Sequence, residues 1–239
     1  MNLGQCHICG EMGKLTFEHI PPRKAMNNKP ICIYDGNALL SKNITYLNSQ
    51  RGNGKFSLCE KCNNITGSWY AESYIEAANN ITSWLESNTL PNDQEVYLEF
   101  SDFNALAFTK QVIAMFCSLI PYECVHSLGM DALLLDKEDN AIDSSRFDIR
   151  MFITPMKNAF FTTGKQSYLF ADGSKADLVI MSVKPFAFIL NLNPEIEMNL
   201  GYSLKAFLNE SYEILDKVKI PLRLLANENG GIPRWIKPI

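Results

Sequence analysis

The chain's 239 residues are 46% hydrophobic and 20% charged, a balance that excludes a disordered or fibrous protein and leaves room for a packed core. Its length fits one large domain or a small module joined to a larger one. The net charge of −4 disfavours a nucleic-acid partner only as an average: residues 1–65 carry eight Lys or Arg against four Asp or Glu, and the rest fourteen against twenty-two, so a polyanion is expected to meet the amino-terminal region.

The opening residues, MNLGQCHICGEMGK, lack a basic start followed by an apolar run, so no secretory leader is read there. The apolar stretch from Val179 to Leu192 is broken by Lys184, Pro185 and Asn191, well short of the roughly 20 residues of a spanning helix. The expectation is a cytoplasmic protein without a membrane partner. Seven cysteines, four of them in two C-x-x-C pairs, then point to metal rather than disulfides.

Cys6-His-Ile-Cys9 and Cys59-Glu-Lys-Cys62 each set two thiolates about one turn apart, suited to two corners of a tetrahedral zinc site. Gly10 after the first pair and Leu58 before the second suit turns whose N–H groups face the sulfurs. Cys6, Cys9, Cys59 and Cys62 are therefore expected to hold one structural Zn²⁺. His7, between two ligands, is expected at the surface, and Cys32, Cys117 and Cys124 in the core. Between the pairs, Leu15-Thr16-Phe17-Glu18-His19-Ile20-Pro21-Pro22 reads as a short strand stopped by two prolines, and residues 54–58 read as a second strand.

From Thr66, apolar residues through Trp69, Tyr70, Tyr74, Ile75, Ala78, Ile81 and Leu85 recur at helical spacing and predict one long helix ending near Asn88. A second helix is predicted from about Asp102 to Leu119, capped by Ser101 or Asp102 and stopped by Pro121. Residues 136–145 form a polar, turn-forming segment. Short β-branched or aromatic runs at 147–153, 167–170, 177–183 and 186–190, with a turn at 171–174, predict a small antiparallel sheet. A last helix over 204–218 and a proline-rich tail close the chain. The predicted fold class is α+β, with units at 1–90 and 91–239.

Taken together, C-H-I-C-G, E-H-I-P-P and S-L-C-E-K-C-N-N-I-T-G resemble the HNH endonuclease family over about residues 6–70. The resemblance implies a ββα-metal fold, in which a hairpin and a helix clamp one divalent ion while the zinc holds the hairpin base to the helix start. It implies His19 as the base that deprotonates water, a role that a neutral imidazole suits at physiological pH. It also implies Glu18 and Asn63 as ligands of a catalytic Mg²⁺ or Mn²⁺, both offering oxygen to a hard cation. The asparagine that orients the base is open among Asn43, Asn48 and Asn53, with Asn53 preferred because it precedes the second strand. The long separation of His19 from Asn63 implies an insertion over 27–53. Arg23, Lys24, Lys55 and Lys61 are expected to meet phosphates, while Trp69, Tyr70 and Tyr74 are expected in the core.

The function that follows is a metal-dependent endonuclease, a phosphodiester hydrolase, with DNA ahead of RNA as substrate. The resemblance allows a role in defence against phage or mobile DNA. Two readings compete with it. A non-catalytic zinc module that binds nucleic acid or protein shares the cysteines but has no need of Glu18, His19 and Asn63. An RNA-cleaving toxin shares the whole site, and a metal site acting on a phosphodiester carries no groove or 2′-OH readout to separate the two substrates. The acidic remainder is left the roles of specificity, sensing or oligomerisation, through a second copy or a partner protein.

Overall fold

The chain is seen in a computed structural model, which describes residues 2–34, 46–88, 95–141, 143, 145–154, 160–170, 173–196, 198, 201–208, 210–223 and 236–238. Asn43, Asp172, the Gly230-Gly231 pair and most of the tail lie outside them.

The amino-terminal region is a three-stranded antiparallel sheet of β1 (Leu3–Gln5), β2 (Met12–His19) and β5 (Gly54–Cys59), in that order. Between β2 and β5, where the insertion over 27–53 is expected, β3 (Ile31–Tyr34) pairs antiparallel with β4 (Tyr46–Ser49). Helix α1 (Glu60–Trp69) follows β5 directly, and α2 (Ala71–Ser87) follows α1 after Tyr70. The single long helix predicted from Thr66 is thus two. Tyr70 marks the break because its ring is fully buried and its hydroxyl donates to the carbonyl of Leu134 at 2.9 Å, an anchor that helical periodicity does not reveal.

Two further strands depart from the sequence expectations. β6 (Glu95–Phe103) pairs antiparallel with β13 (Leu215–Arg223), with Ser101 opposite Lys217 and Glu99 opposite Lys219. The helix predicted over 204–218 shrinks to α6 (Lys205–Leu208). In β13 Ile220 and Leu222 are buried, matched by Leu98 and Phe100 of β6. This two-residue alternation is paid for by a partner more than a hundred residues away, so local propensity gives no sign of it. Helix α3 (Ala105–Cys117) is capped by Asn104 rather than Ser101 or Asp102: its Oδ1 accepts the Ala107 N–H at 2.8 Å, satisfying one of the orphan donors of the first turn. Short helices α4 (Tyr122–Ser127) and α5 (Met130–Leu135) follow.

The four predicted carboxy-terminal strands are present as β7 (Asp148–Ile153), β9 (Gln166–Phe170), β10 (Lys175–Val183) and β11 (Phe186–Asn191). With β12 (Tyr202–Ser203) and β14 (Ile236–Pro238) they run β12-β7-β11-β10-β9-β14, and β8 (Phe160–Thr162) also pairs with β10. All these pairings are antiparallel. Mixed helix and antiparallel sheet is therefore the fold class. One buried cluster runs from Cys6 and Ile8 through Tyr70 and Tyr74 to Phe186, Phe188 and Leu222. Tyr74 is its centre, stacked on Phe108 at 5.6 Å and edge-on to Phe186 at 5.7 Å. Lys110 is buried on α3, where it donates to the carbonyls of Asp136 and Lys137 at 2.7 and 3.0 Å. Its burial pushes the ammonium down to about 8. Among the described residues no helix is long and apolar enough to cross a membrane.

Candidate functional site

The two C-x-x-C pairs converge. Cys6 and Cys9 form the turn between β1 and β2, while Cys59 ends β5 and Cys62 sits in the first turn of α1. Their four Sγ atoms lie within 4.8 Å of one another, and Cys9 and Cys59 are separated by 3.8 Å. A tetrahedron with Zn–S bonds of about 2.3 Å has edges of about 3.8 Å, so the four sulfurs can hold a zinc ion with little movement. Main-chain N–H groups support the ligands, that of Cys59 reaching Cys6 Sγ at 3.3 Å. A hydrogen bond from Cys62 pulls the Cys6 thiol down to about 4, and that same bond drives Cys62 up. Burial raises Cys9 to about 11. Four thiolates in one pocket repel, and a divalent cation is what lets them coexist.

This cluster is wired into the rest of the molecule. The register of β2 against β5 slips between Thr16 and Phe17, passing from Leu58 to Phe56. The Ser57 carbonyl is thereby free to accept the His7 N–H at 2.9 Å. His7 is not the surface residue expected: it is half-buried, and its Nδ1 bonds the carbonyl of Cys117 at the end of α3, 2.9 Å away. Gly10 has φ +74, and a Cβ there would stand 2.6 Å from the Tyr122 ring, so the first turn can press on α4 only with glycine at that position.

Beyond the cysteines, β2 and β5 lie against α1, and alternation along β2 divides the expected site residues. Thr16 and Glu18 face one way. The Thr16 hydroxyl donates to the Leu58 carbonyl and accepts from Asn63 Nδ2, each at 2.9 Å, and Nδ2 also reaches the Phe17 carbonyl at 3.4 Å. With both bonds on its nitrogen, Asn63 keeps its Oδ1 without a partner among the described residues. Glu18 is 7% exposed, and among the described residues its carboxylate has neither hydrogen bond nor ion pair. Burial alone pushes it up to about 8. Lys55 stands opposite Glu18 in the register yet makes no ion pair with it; desolvation lowers its ammonium.

His19 leaves the strand on the other face, as neighbouring residues of a regular strand must. Its ring meets Phe17 edge-on at 5.0 Å, and Phe17 in turn meets Phe56 at 5.3 Å. Desolvation lowers the His19 pKa, the nearby charges of Arg23 and Arg51 lower it further, and a hydrogen bond to the Arg51 main chain opposes them. The net direction favours the neutral ring. No side-chain contact joins His19 to Glu18, Asn53 or Asn63 among the described residues.

Asn53 lies beside the base but touches its backbone neighbour: Nδ2 donates to the Ile20 carbonyl at 2.6 Å, and the Asn53 carbonyl accepts the Ile20 N–H at 3.0 Å. It fixes the main chain next to His19 and makes no contact with the imidazole itself among the described residues. Asn27, which no sequence signal marks, secures both ends of the insertion. Its buried amide donates to the carbonyls of Pro21 and Asn53 at 2.7 Å, and its Oδ1 accepts the Asn53 N–H at 2.7 Å. Gly52 has φ +82, and a Cβ there would sit 2.4 Å from Asn27 Oδ1, so this turn also needs glycine.

Arg23, Lys24, Lys55 and Lys61 are all exposed. Sequence reasoning missed Thr16, Asn27 and Arg51. Thr16 could have been found, since two residues before Glu18 on a strand is the same face; Arg51 was visible only as one of the module's charges. Compared with known proteins, the chain matches no family model, no curated protein and no solved structure.

Proposed function

We propose that the chain is a metal-dependent endonuclease of the HNH type, its amino-terminal strands and α1 forming a ββα-metal module stapled by zinc. The observation that carries this reading is that β2 holds a largely buried Glu18 carboxylate without a partner among the described residues, while Asn63 of α1 has its amide nitrogen tied to the same strand at Thr16 and Phe17. Oxygen donors from these two residues, completed by water and phosphate, suit Mg²⁺ or Mn²⁺, which take one or two protein ligands and substrate oxygens. A bound divalent ion would neutralise charge on the phosphate and the leaving oxygen.

His19 supplies the base. Its lowered pKa keeps it ready to accept a proton, and the hydroxide formed from water attacks phosphorus as the leaving oxygen departs. Glu18 and His19 leave β2 on opposite faces, so the reading requires the phosphate to straddle the end of the strand, where β2 stops before Pro21. Nucleic acid, DNA ahead of RNA, is the partner, met by the basic residues around the strand end. A zinc module that binds without chemistry is the competing reading, and it draws on the absence of contact between His19 and the other two residues.

Asn63→Ala separates them. Cleavage of plasmid, single-stranded DNA and RNA in Mg²⁺ is expected to fall, to recover in part at high Mn²⁺, and to stop when both ions are omitted with zinc still bound. A wild-type chain that cuts none of the three under either ion supports the binding module instead.

A further inference from the structure

Arg51 is the one cation beside His19 that the expected phosphate contacts leave out. Its guanidinium carbon stands 5.8 Å from the centroids of both the Phe17 and the Phe56 rings. Those rings meet each other at 5.3 Å, and Phe56 is 41% exposed. Two aromatic faces restrain a long side chain through cation–π attraction while leaving its N–H groups unspent.

Two arginines of the carboxy-terminal half are neutralised, Arg146 by Asp143 and Arg150 by Asp148, whereas Arg23 and Arg51 at the amino-terminal site have no ion pair among the described residues. Arg51 has no carboxylate among the described residues. Its root is fixed as well, because Asn27 clamps Asn53 two residues on and Gly52 between them packs against the Asn27 amide. An exposed, restrained and unpaired guanidinium on the same Phe17 ring that His19 meets has the planar fork that a phosphate takes by two parallel hydrogen bonds.

We infer that Arg51 is a phosphate-binding residue of this site, donating to the non-bridging oxygens of a nucleic-acid phosphate beside His19. The inference rests on the nucleic-acid reading above but not on cleavage. A solvated arginine lying on two rings would use the same aromatic contacts, and binding measurements tell the two apart.

The experiment is the salt dependence of oligonucleotide affinity, read by fluorescence anisotropy on the full zinc-loaded chain in buffer without Mg²⁺ or Mn²⁺. Single-stranded and duplex DNA are titrated with wild type, Arg51→Ala, Arg51→Gln, Arg51→Lys and Lys14→Ala. Lys14 is an exposed residue of β2 opposite Leu3, so its loss removes equal charge away from the site. One lost phosphate contact reduces the slope of log K against log salt by about 0.7 to 0.9. That reduction is expected for Arg51→Ala and Arg51→Gln, the second variant guarding against misfolding of the first. Lys14→Ala is expected to keep the wild-type slope. Arg51→Lys keeps the charge and the slope but binds more weakly, having lost the fork. Equal slopes for Arg51→Ala, Arg51→Gln and Lys14→Ala overturn the inference, as does a wild type that binds neither strand. A wild type that binds through Arg51 yet cuts nothing defeats the nuclease reading and leaves the Arg51 site standing.

Discussion

Glu18 is the residue whose state depends most on what is bound. Its folded pKa of about 8 stands above the ordinary 4.5, so the stability its neutral form contributes is complete below about 4.5 and is lost as pH rises towards 8. In metal-free buffer the melting temperature of wild type is expected to fall from pH 5 to pH 8 relative to Glu18→Gln, by an amount worth a few kcal/mol at most. Mn²⁺ at pH 8 is expected to restore wild type and to leave the glutamine variant unmoved. Parallel pH profiles without any metal response would show that the carboxylate is an ordinary buried acid. At this scale the sequence was partly legible. The Glu18-His19 pair and Asn63 stood out through neighbouring cysteines and prolines, whereas Asn27 and the main-chain role of Asn53 arise from the path of an insertion, which no local pattern encodes.

The two cysteine turns are the elements with the thinnest core of their own and the clearest sequence signature. Paired C-x-x-C spacing is a local signal, and the sulfurs meet as it predicts. What the spacing did not convey is that the first cysteine turn is bolted to α3 and α4 by His7 and by the Tyr122 ring over Gly10. Elemental analysis is expected to find about one zinc per chain. Cys59→Ser or a strong chelator is expected to unfold residues 3–19 and 54–69, since structural zinc contributes roughly 10 to 16 kcal/mol of apparent binding energy. Hydrogen exchange should rise at the Cys117 to Tyr122 corner as well. A metal-free protein with unchanged circular dichroism and exchange would refute this. Among the other elements, β7, β9, β10 and β11 were legible because their apolar runs are short and bounded by turns. The β6–β13 pair was not, because a strand such as Leu215–Arg223 gains its stability from a distant partner and, read locally, continues a helical pattern.

At the scale of the whole molecule, the amino-terminal region and the carboxy-terminal sheet share one core through Tyr74, Phe108, Phe186 and Phe188. Function is therefore best tested on the full chain, where a defect in the site can be told from a defect in folding. The most direct measurement is the cleavage rate of His19→Ala against wild type on plasmid, single-stranded DNA and RNA in Mg²⁺ and Mn²⁺, with zinc content and melting temperature recorded for both. Loss of a positioned base is expected to lower the rate by roughly 10² to 10⁴ at every metal concentration, with zinc and fold retained and wild-type activity rising with pH until the imidazole is neutral. A His19→Ala chain that keeps its zinc and cuts at the wild-type rate would contradict the assignment.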